Sequence, residues 1–328
     1  MNKKLVYGII GFGIVAVIVL VIALRVISHR LSTQIEQELN VFLQESAQNQ
    51  DSAIIDFEPF HCFGMSSITC EGKSIRFGFK DTLNDVQSDD DINTFVNTQE
   101  QGSLENIRIH LSGHDTKANI NIQTLIKSTG ITFDAQCENT FTLKKSSQEL
   151  SSELACQTTN EEFAYNQDTK LGITFFHEEF FNKTLKDAFF LFKNNDAESL
   201  KKLGIRLDSF ASSLKADNLQ RAILKAVGEE GNTQNLSMLT FMSMMFINML
   251  EKDEQKQTDE EIKELDRNLV KFFNNLMDVL NGTSHSLELI VSTKTQVDPI
   301  LLPDIEQTVT QEWIAKNYSF HTHQNAKP

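Results

Sequence analysis

The sequence has 328 residues, of which 40% are hydrophobic and 23% are charged, a composition typical of globular proteins rather than disordered or collagen-like ones. Its 30 Lys and Arg residues stand against 45 Asp and Glu residues, which gives a formal net charge of −15. This balance argues against nucleic acid as a partner, because such binding depends on Lys and Arg neutralising phosphates. It also argues against attachment to an anionic membrane surface through a basic patch.

The N-terminal region predicts a membrane anchor. Residues Leu5 to Leu24 form an apolar run of 20 residues without a charge or a proline. A helix of that length spans about 30 Å, the thickness of the hydrocarbon core of a bilayer. A cleaved signal peptide usually has an apolar region of about 7–15 residues and a small-x-small cleavage site, which the residues around Leu24 do not offer. We therefore predict a short cytoplasmic segment at 1–4 and an uncleaved transmembrane helix at 5–24, with a signal peptide as the alternative.

Four cysteines bear on which side of the membrane holds the rest of the chain, because the positive charges flanking the anchor are nearly balanced. Cys62 and Cys70 fall opposite each other in a short hairpin, and Cys137 and Cys156 do so in a longer one. Two pairs in plausible register predict two disulfides and an oxidising compartment. Four buried thiols facing the cytoplasm are the alternative. A zinc site is less favoured, because no CxxC motif or nearby His pair accompanies the cysteines.

The region that follows the anchor changes from helical to strand periodicity. Residues 25–50 carry apolar side chains at helical spacing and predict a juxtamembrane helix. The region 51–176 is predicted to be β-rich, with the acidic segment from Asp81 to Gly102 as a long loop or disordered insertion. Its alternation is typical of antiparallel strands with one solvated face, so the other face needs a cover. The predicted strands are 53–60, 67–77, 104–111, 117–126, 130–138, 140–145, 150–158 and 171–176.

The region 177–320 is predicted to be helix-rich and to supply that cover. The segment 178–194 is strongly amphipathic, and a Met-rich helix is predicted over 236–250. Thr258 and Glu261 match a capping box, which predicts the start of a long helix that Asn281-Gly282 ends. A shorter helix is predicted over 217–227, and another from Pro303 through Trp313.

Two strands, near 203–210 and 287–293, interrupt these helices, and residues 321–328 are predicted to be a tail. Strands dominate the first half of the chain and helices the second. The predicted fold class is therefore α+β: an N-terminal transmembrane helix and an antiparallel β meander covered by a C-terminal helical region.

No sequence motif predicts a reaction. The chain lacks a GxSxG elbow, a Gly-rich phosphate loop after a strand, an HExxH zinc motif and a calcium loop. We therefore expect no enzyme activity, no cofactor and no metal. A hydrolase whose catalytic groups lie far apart in the sequence is the alternative.

The Met-rich segment is the most unusual stretch of the sequence. Methionine gives a soft surface that adapts to irregular apolar shapes. The segment is interpreted either as a core helix or as the lining of a groove for an acyl chain or a partner helix. It is too short and too polar to predict a second membrane span. The candidate residues for binding a hydrophobic ligand are Phe189, Phe192, Met238, Met242, Met245 and Met249.

Three segments carry a resemblance to known proteins. After an anchor and a juxtamembrane helix, IIDFEPFHCFGMSSITCEGKSIRF resembles the opening of YdgA/AsmA-like bacterial periplasmic proteins, in which two strands start a long sheet. LGIRLDSFASSLKADNLQRAILKAVGEEG and VLNGTSHSLELIVSTKTQVDPILL resemble the end of uncharacterised proteobacterial domains. The resemblance implies an inner-membrane-anchored periplasmic protein with an envelope or lipid-related role, and it implies no catalytic residue.

These observations predict a non-enzymatic, single-pass inner-membrane protein whose periplasmic domain binds a lipid or another envelope component. In the first hypothesis the sheet forms a trough, and the Phe- and Met-rich helices form a lid that holds an apolar ligand out of water. In the second, the domain is a scaffold that buries those residues and docks a basic partner through its acidic surface.

Overall fold

A computed structural model describes residues 32–48, 54–64, 67–82, 96–128, 131–144, 146–147, 149–175, 201–218 and 233–326. The predicted anchor at 5–24, the amphipathic segment 178–194 and most of the predicted helix 217–227 lie outside these ranges. Within them, no helix combines the length and the hydropathy that a membrane span requires.

One antiparallel sheet of twelve strands dominates the described chain. Ten strands follow the order β1-β3-β4-β5-β6-β7-β8-β9-β10-β12, while β2 pairs with β3 and β11 pairs with β9. The strands are β1 Ile54–Phe57, β2 His61–Phe63, β3 Ser67–Thr82, β4 Val96–His114, β5 Lys117–Ser128, β6 Ile131–Lys144, β7 Glu149–Thr159, β8 Phe163–Phe175, β9 Leu203–Ala216, β10 Ser284–Thr293, β11 Ile300–Leu301 and β12 Tyr318–Ala326.

The helices of the described chain are few. They are α1 Ser32–Gln48, α2 Thr233–Lys256, α3 Glu260–Leu280, α4 Ile305–Thr308 and α5 Gln311–Asn317, with a 3₁₀ turn at Leu302–Asp304. Helix α3 begins one residue later than the predicted capping box implies, because the side chain of Asp259, rather than that of Thr258, accepts hydrogen bonds from the backbone N–H groups of Glu261 and Ile262.

The predicted α+β fold class is wrong, since more than half of the described residues lie in strands of a single sheet. The error lies in the region 177–320, where β9, β10 and β11 continue the sheet of the first half. Residues 321–326, predicted as a tail, belong to β12. Their polar sequence carries no strand periodicity, but pairing with β10 along the whole of β12 satisfies their backbone groups.

Strand β8 is longer than predicted, because polar side chains occupy both of its faces. Strand β8 begins at Phe163 rather than at 171. On one of its faces Tyr165 donates to Gln167 at 3.1 Å, and Gln167 donates to Thr169 at 3.1 Å. A row of polar residues that bond to one another does not alternate in hydrophobicity, so the sequence pattern hides the strand. Strand β4 likewise begins at Val96, inside the predicted loop.

The main hydrophobic core lies against one face of β3 to β7. Antiparallel partners share a face, so Ile109, Ile122 and Cys137 form a row across three neighbouring strands. Helix α1 covers part of this core with Ile35 and Leu39. The most deeply buried members of the cluster are Leu43, Phe60, Cys70, Ile75, Leu104, Ile109, Phe141 and Leu150.

The opposite face of the sheet carries ion pairs between neighbouring strands. The Arg76 guanidinium contacts the Asp56 carboxylate, and this hydrogen bond is the main cause that lowers the pKa of Asp56. Further exposed pairs are Lys73–Glu58, Arg108–Glu71, Lys127–Glu105 and Lys170–Glu153. Exposed pairs contribute at most about 1 kcal/mol each, so the face remains polar without stabilising the fold greatly.

Helix α1 is held to the sheet by polar bonds as well as by its apolar face. The Asn40 amide donates to the Phe60 carbonyl oxygen at 3.1 Å and accepts from the Phe60 N–H at 2.8 Å. The Glu36 carboxylate accepts from the Cys62 N–H at 2.8 Å. These bonds satisfy backbone groups of the segment around β2, which are not part of the main ladder.

Both predicted disulfides are present. Cys62 and Cys70 are opposite each other in the β2–β3 pair, and Cys137 and Cys156 are opposite each other in β6–β7. The Cα atoms are 4.0 Å apart in the first pair and 4.1 Å in the second. Disulfides form and persist in oxidising environments, so they indicate an oxidising compartment such as the periplasm.

The substitution Gly72→Ala is expected to lower the free energy of unfolding by about 1–3 kcal/mol, because it overpacks the core. A Cβ atom at this position would lie 2.5 Å from Cζ of Phe60, whose side chain is fully buried. Urea unfolding followed by circular dichroism measures the change. The control is a double-mutant cycle with Phe60→Leu. In the Phe60→Leu background, Gly72→Ala is expected to lower the free energy of unfolding by less, because the smaller side chain relieves the clash. Additive effects of the two substitutions would contradict the clash.

Candidate functional site

The most buried ion cluster of the described sheet joins β6, β7 and β9. The side chain of Arg206 is 16% exposed, and that of Glu149 is 11% exposed. Arg206 Nη2 lies 3.3 Å from Glu149 Oε2, and Lys144 Nζ lies 3.2 Å from Glu149 Oε1. Arg206 also bonds Asp208, and this bond is the main cause that raises the pKa of the guanidinium. The cluster is satisfied internally, so it is a structural link between strands.

Gly172 makes this cluster possible. Strand β8 runs between β7 and β9, so the Arg206 side chain must pass over it to reach Glu149. A Cβ atom at position 172 would lie 3.1 Å from Arg206 Nη2 and 3.6 Å from the Glu149 carboxyl carbon. The glycine therefore leaves the space through which the ion pair forms.

Tyr318 is the other titratable group of interest on this part of the sheet. Burial is the main cause that raises its pKa, and the charge of Asp208 adds to the effect. Its hydroxyl donates to the Leu207 carbonyl oxygen at 3.0 Å. The hydroxyl is buried against β9 and bonded to its backbone, which is a structural role. Among the described residues, no group of three or more His, Cys, Asp or Glu side chains is placed to hold a metal ion.

The strongest candidate for a functional surface lies on helix α2. The helix packs mainly against α3, which in turn packs on β10 and β12. Contact with α3 includes the Phe246 ring, which stacks on Phe273 with centroids 5.7 Å apart and planes 6° from parallel. On the sheet side of α3, the Asn275 amide donates to the Thr322 hydroxyl at 3.1 Å. Helix α3 therefore carries α2 on the side away from the sheet.

The inner face of α2 mixes polar and apolar side chains at its described positions. Its buried or half-buried positions recur at spacings of three and four residues and so lie on one side of the helix, at Thr240, Ser243, Ile247 and Leu250. Ser243 is the most buried of the four, at 5% exposed. The inner face thus combines two hydroxyl side chains with two aliphatic ones.

Five large apolar side chains of α2 remain exposed and form what we call its outer face: Phe241, Met245 and Met249 lie on the side away from α3, while Met244 and Phe246 lie at its edges, where the Phe246 ring also contacts Phe273. The exposed fraction is 61% for Phe241 and 57% for Met245. No Asp, Glu, Lys or Arg occurs between 233 and 250. Contiguous apolar side chains on the surface of a soluble protein mark sites of interaction with proteins, membranes or ligands.

The outer face contains two of the residues predicted to bind a hydrophobic ligand, Met245 and Met249. Met238 and Met242 lie in the same helix, but the description of the structure does not extend to their side chains. Phe189 and Phe192 lie outside the described residues.

The sequence did not identify Phe241 and Phe246 as part of this surface, and Met244 was counted in the soft Met-rich segment but not among the ligand candidates. Apolar residues surround the helix axis over 236–250, and such a pattern does not show which side faces the protein. The two hydroxyl side chains at 240 and 243 were a potential signal, but sequence rules assign such residues to the solvent side.

No family model matches the chain, and no curated protein matches it.

Two substitutions on α2 test which side of the helix faces solvent. Met245→Gln is expected to change the free energy of unfolding by less than about 0.5 kcal/mol, because the side chain is exposed. Ile247→Gln on the inner face is expected to cost about 1–3 kcal/mol, because it places an amide against α3. Urea unfolding measures both. Equal costs would contradict the assignment of the two faces.

Proposed function

We propose that this protein is a non-enzymatic, single-pass protein of the bacterial inner membrane whose periplasmic domain binds lipid. The observation that carries the proposal is the apolar outer face of α2, where Phe241, Met244 and Met245 meet solvent directly. Water contact with such a surface is unfavourable by about 25 cal/mol per Å², so an apolar ligand that covers it binds with a favourable free energy.

The character of the surface fits an acyl chain. Methionine side chains are unbranched and polarisable, so they follow the irregular shape of a flexible hydrocarbon. Two phenylalanines lie beside them, and the ring of Phe246 is fixed by stacking on Phe273. A fixed aromatic group together with adaptable thioethers gives a surface that accepts chains of different length and saturation.

The compartment fits the same proposal. Two disulfides indicate an oxidising environment, and the sequence places a predicted membrane span at 5–24, close before α1. The bonds from Glu36 and Asn40 fix α1 to the segment around β2. A domain attached to the membrane in this way would remain close to the lipid that it is proposed to bind.

A scaffold that docks a basic envelope protein is the second candidate, and the net charge of −15 favours it. On the described sheet, however, many exposed acidic residues already pair with Lys or Arg. These pairs leave the net charge of −15 unchanged, because that figure already subtracts Lys and Arg. Lipid binding ranks above the scaffold because the exposed apolar side chains of α2 offer no carboxylate to a basic partner.

Lipid retention tests the proposal. The full chain is purified in detergent, incubated with phosphatidylethanolamine and examined by native mass spectrometry for bound lipid. In the variant with Phe241→Gln, Met245→Gln and Met249→Gln, we expect binding to weaken at least about tenfold, because apolar contact is removed at three positions. The matched control carries Glu264→Gln and Lys271→Gln, two exposed positions of α3.

The control is expected to retain as much lipid as the unchanged chain. Any lipid held by the predicted anchor alone is the same in the unchanged chain, the outer-face variant and the control, so it does not affect the comparison. Equal retention by the outer-face variant and the control would refute lipid binding at α2. Crosslinking in whole cells addresses the scaffold: a basic envelope protein linked to the exposed acidic residues would favour that alternative.

A further inference from the structure

We infer that the apolar outer face of α2 contacts the acyl region of the membrane to which the chain is anchored. Helix α2 would then lie along the bilayer surface and position the whole domain. The inference rests on the proposed function, since it identifies the bound lipid as bilayer lipid instead of a single molecule carried in water.

Large apolar side chains of α2 are exposed, while a polar side chain is buried. A surface helix in water normally turns its apolar side to the core and its polar side to solvent. Here Ser243 is buried against the protein, while Phe241 and Met245 are exposed. An exposed apolar side is stabilised when it meets hydrocarbon, as it does for helices that lie in a membrane interface.

One polar side chain interrupts the outer side. Asn248 is exposed between Met245 and Met249, and its amide donates to the Met244 carbonyl oxygen at 2.8 Å. Bonding back to the helix lowers the cost of placing an amide in an apolar medium, where an unpaired polar group costs several kcal/mol. The outer side can therefore meet hydrocarbon without leaving this donor wholly unpaired.

The predicted anchor lies close to α1 along the chain. The predicted span ends at Leu24 and the described chain begins at Ser32, so residues 25–31 separate them. A segment of that length extends at most about 25 Å, which keeps the start of α1 close to the bilayer. Helix α1 packs on β1 to β3, while α3 carries α2 on β10 and β12 at the other end of the strand order, so the contact requires the sheet to lie along the bilayer surface.

The negative charge of the protein predicts how its membrane contact depends on salt and on anionic lipid. With a net charge of −15, the chain is not attracted to anionic lipids, and the outer face itself carries no charge. The contact is driven by apolar burial. It is therefore expected to be insensitive to salt and no stronger in vesicles that contain phosphatidylglycerol, unlike the contact of basic amphipathic helices.

Fluorescence quenching in vesicles tests the inference. The chain has one tryptophan, Trp313, so a Trp313→Phe background permits a single introduced reporter. Full-length Met245→Trp and Glu264→Trp proteins are reconstituted into phosphatidylcholine vesicles with or without lipids brominated along the acyl chain. Position 264 is the matched control, because it is exposed on α3. Phe241→Trp, which exchanges one aromatic residue for another, repeats the test with little change in packing.

We expect brominated lipid to quench the reporters at 245 and 241 at least twofold more strongly than the reporter at 264, at low and at high salt. Equal, weak quenching at all three positions would overturn the inference. So would a blue-shifted but unquenched reporter at 245, because a second copy or another protein would then cover the face.

The lipid-retention experiment separates this inference from the proposed function. Retention that depends on the outer face, together with unquenched reporters, would mean that α2 holds individual lipid molecules away from the bilayer. If lipid retention does not depend on the outer face and the reporters are also unquenched, the proposed function is refuted as well. Quenching that disappears when Phe241→Gln and Met249→Gln are added to Met245→Trp would assign the bilayer contact to the outer face.

Discussion

The structure depends above all on the pairing of each long strand with the next strand in the sequence. From β3 to β10 every strand hydrogen-bonds to its successor, so one ladder satisfies the backbone of most of the described chain. This ladder divides the side chains between two faces. The apolar face of β3 to β7 forms the main core with α1, and ion pairs between strands keep the other face soluble.

The helices near the end of the sheet depend on the same ladder. Strands β10 and β12 provide the surface on which α3 packs, and α3 in turn holds α2 through contacts that include Phe246 and Phe273. Because α3 lies between them, α2 adds little to the core of the sheet. Its exposed methionines and phenylalanines are therefore better explained by binding than by folding. Because α3 separates α2 from the sheet, this surface is free for the proposed role at the membrane.

Local sequence signals predicted several features correctly, and their limits have physical causes. The register Cys137↔Cys156 was readable because a hairpin with a short turn fixes its own pairing. The long helix after Thr258 was readable from a cap and a regular apolar stripe. Strand β12 was not readable, since residues 321–326 are polar and β11, α4 and α5 separate the strand from its partner β10. The outer face of α2 was only partly identified, with Met245 and Met249 but without Phe241.

The sequence by itself determined the composition, the cysteine pairs and the uncharged Met-rich segment, because each is a property of a local stretch of chain. Tertiary structure decided that the strands beyond residue 200 join the same sheet, since pairing partners are set by the whole ladder. It also decided which side of α2 faces outward. An apolar helix has no intrinsic inner side, and only its packing against α3 leaves Phe241 and Met245 exposed.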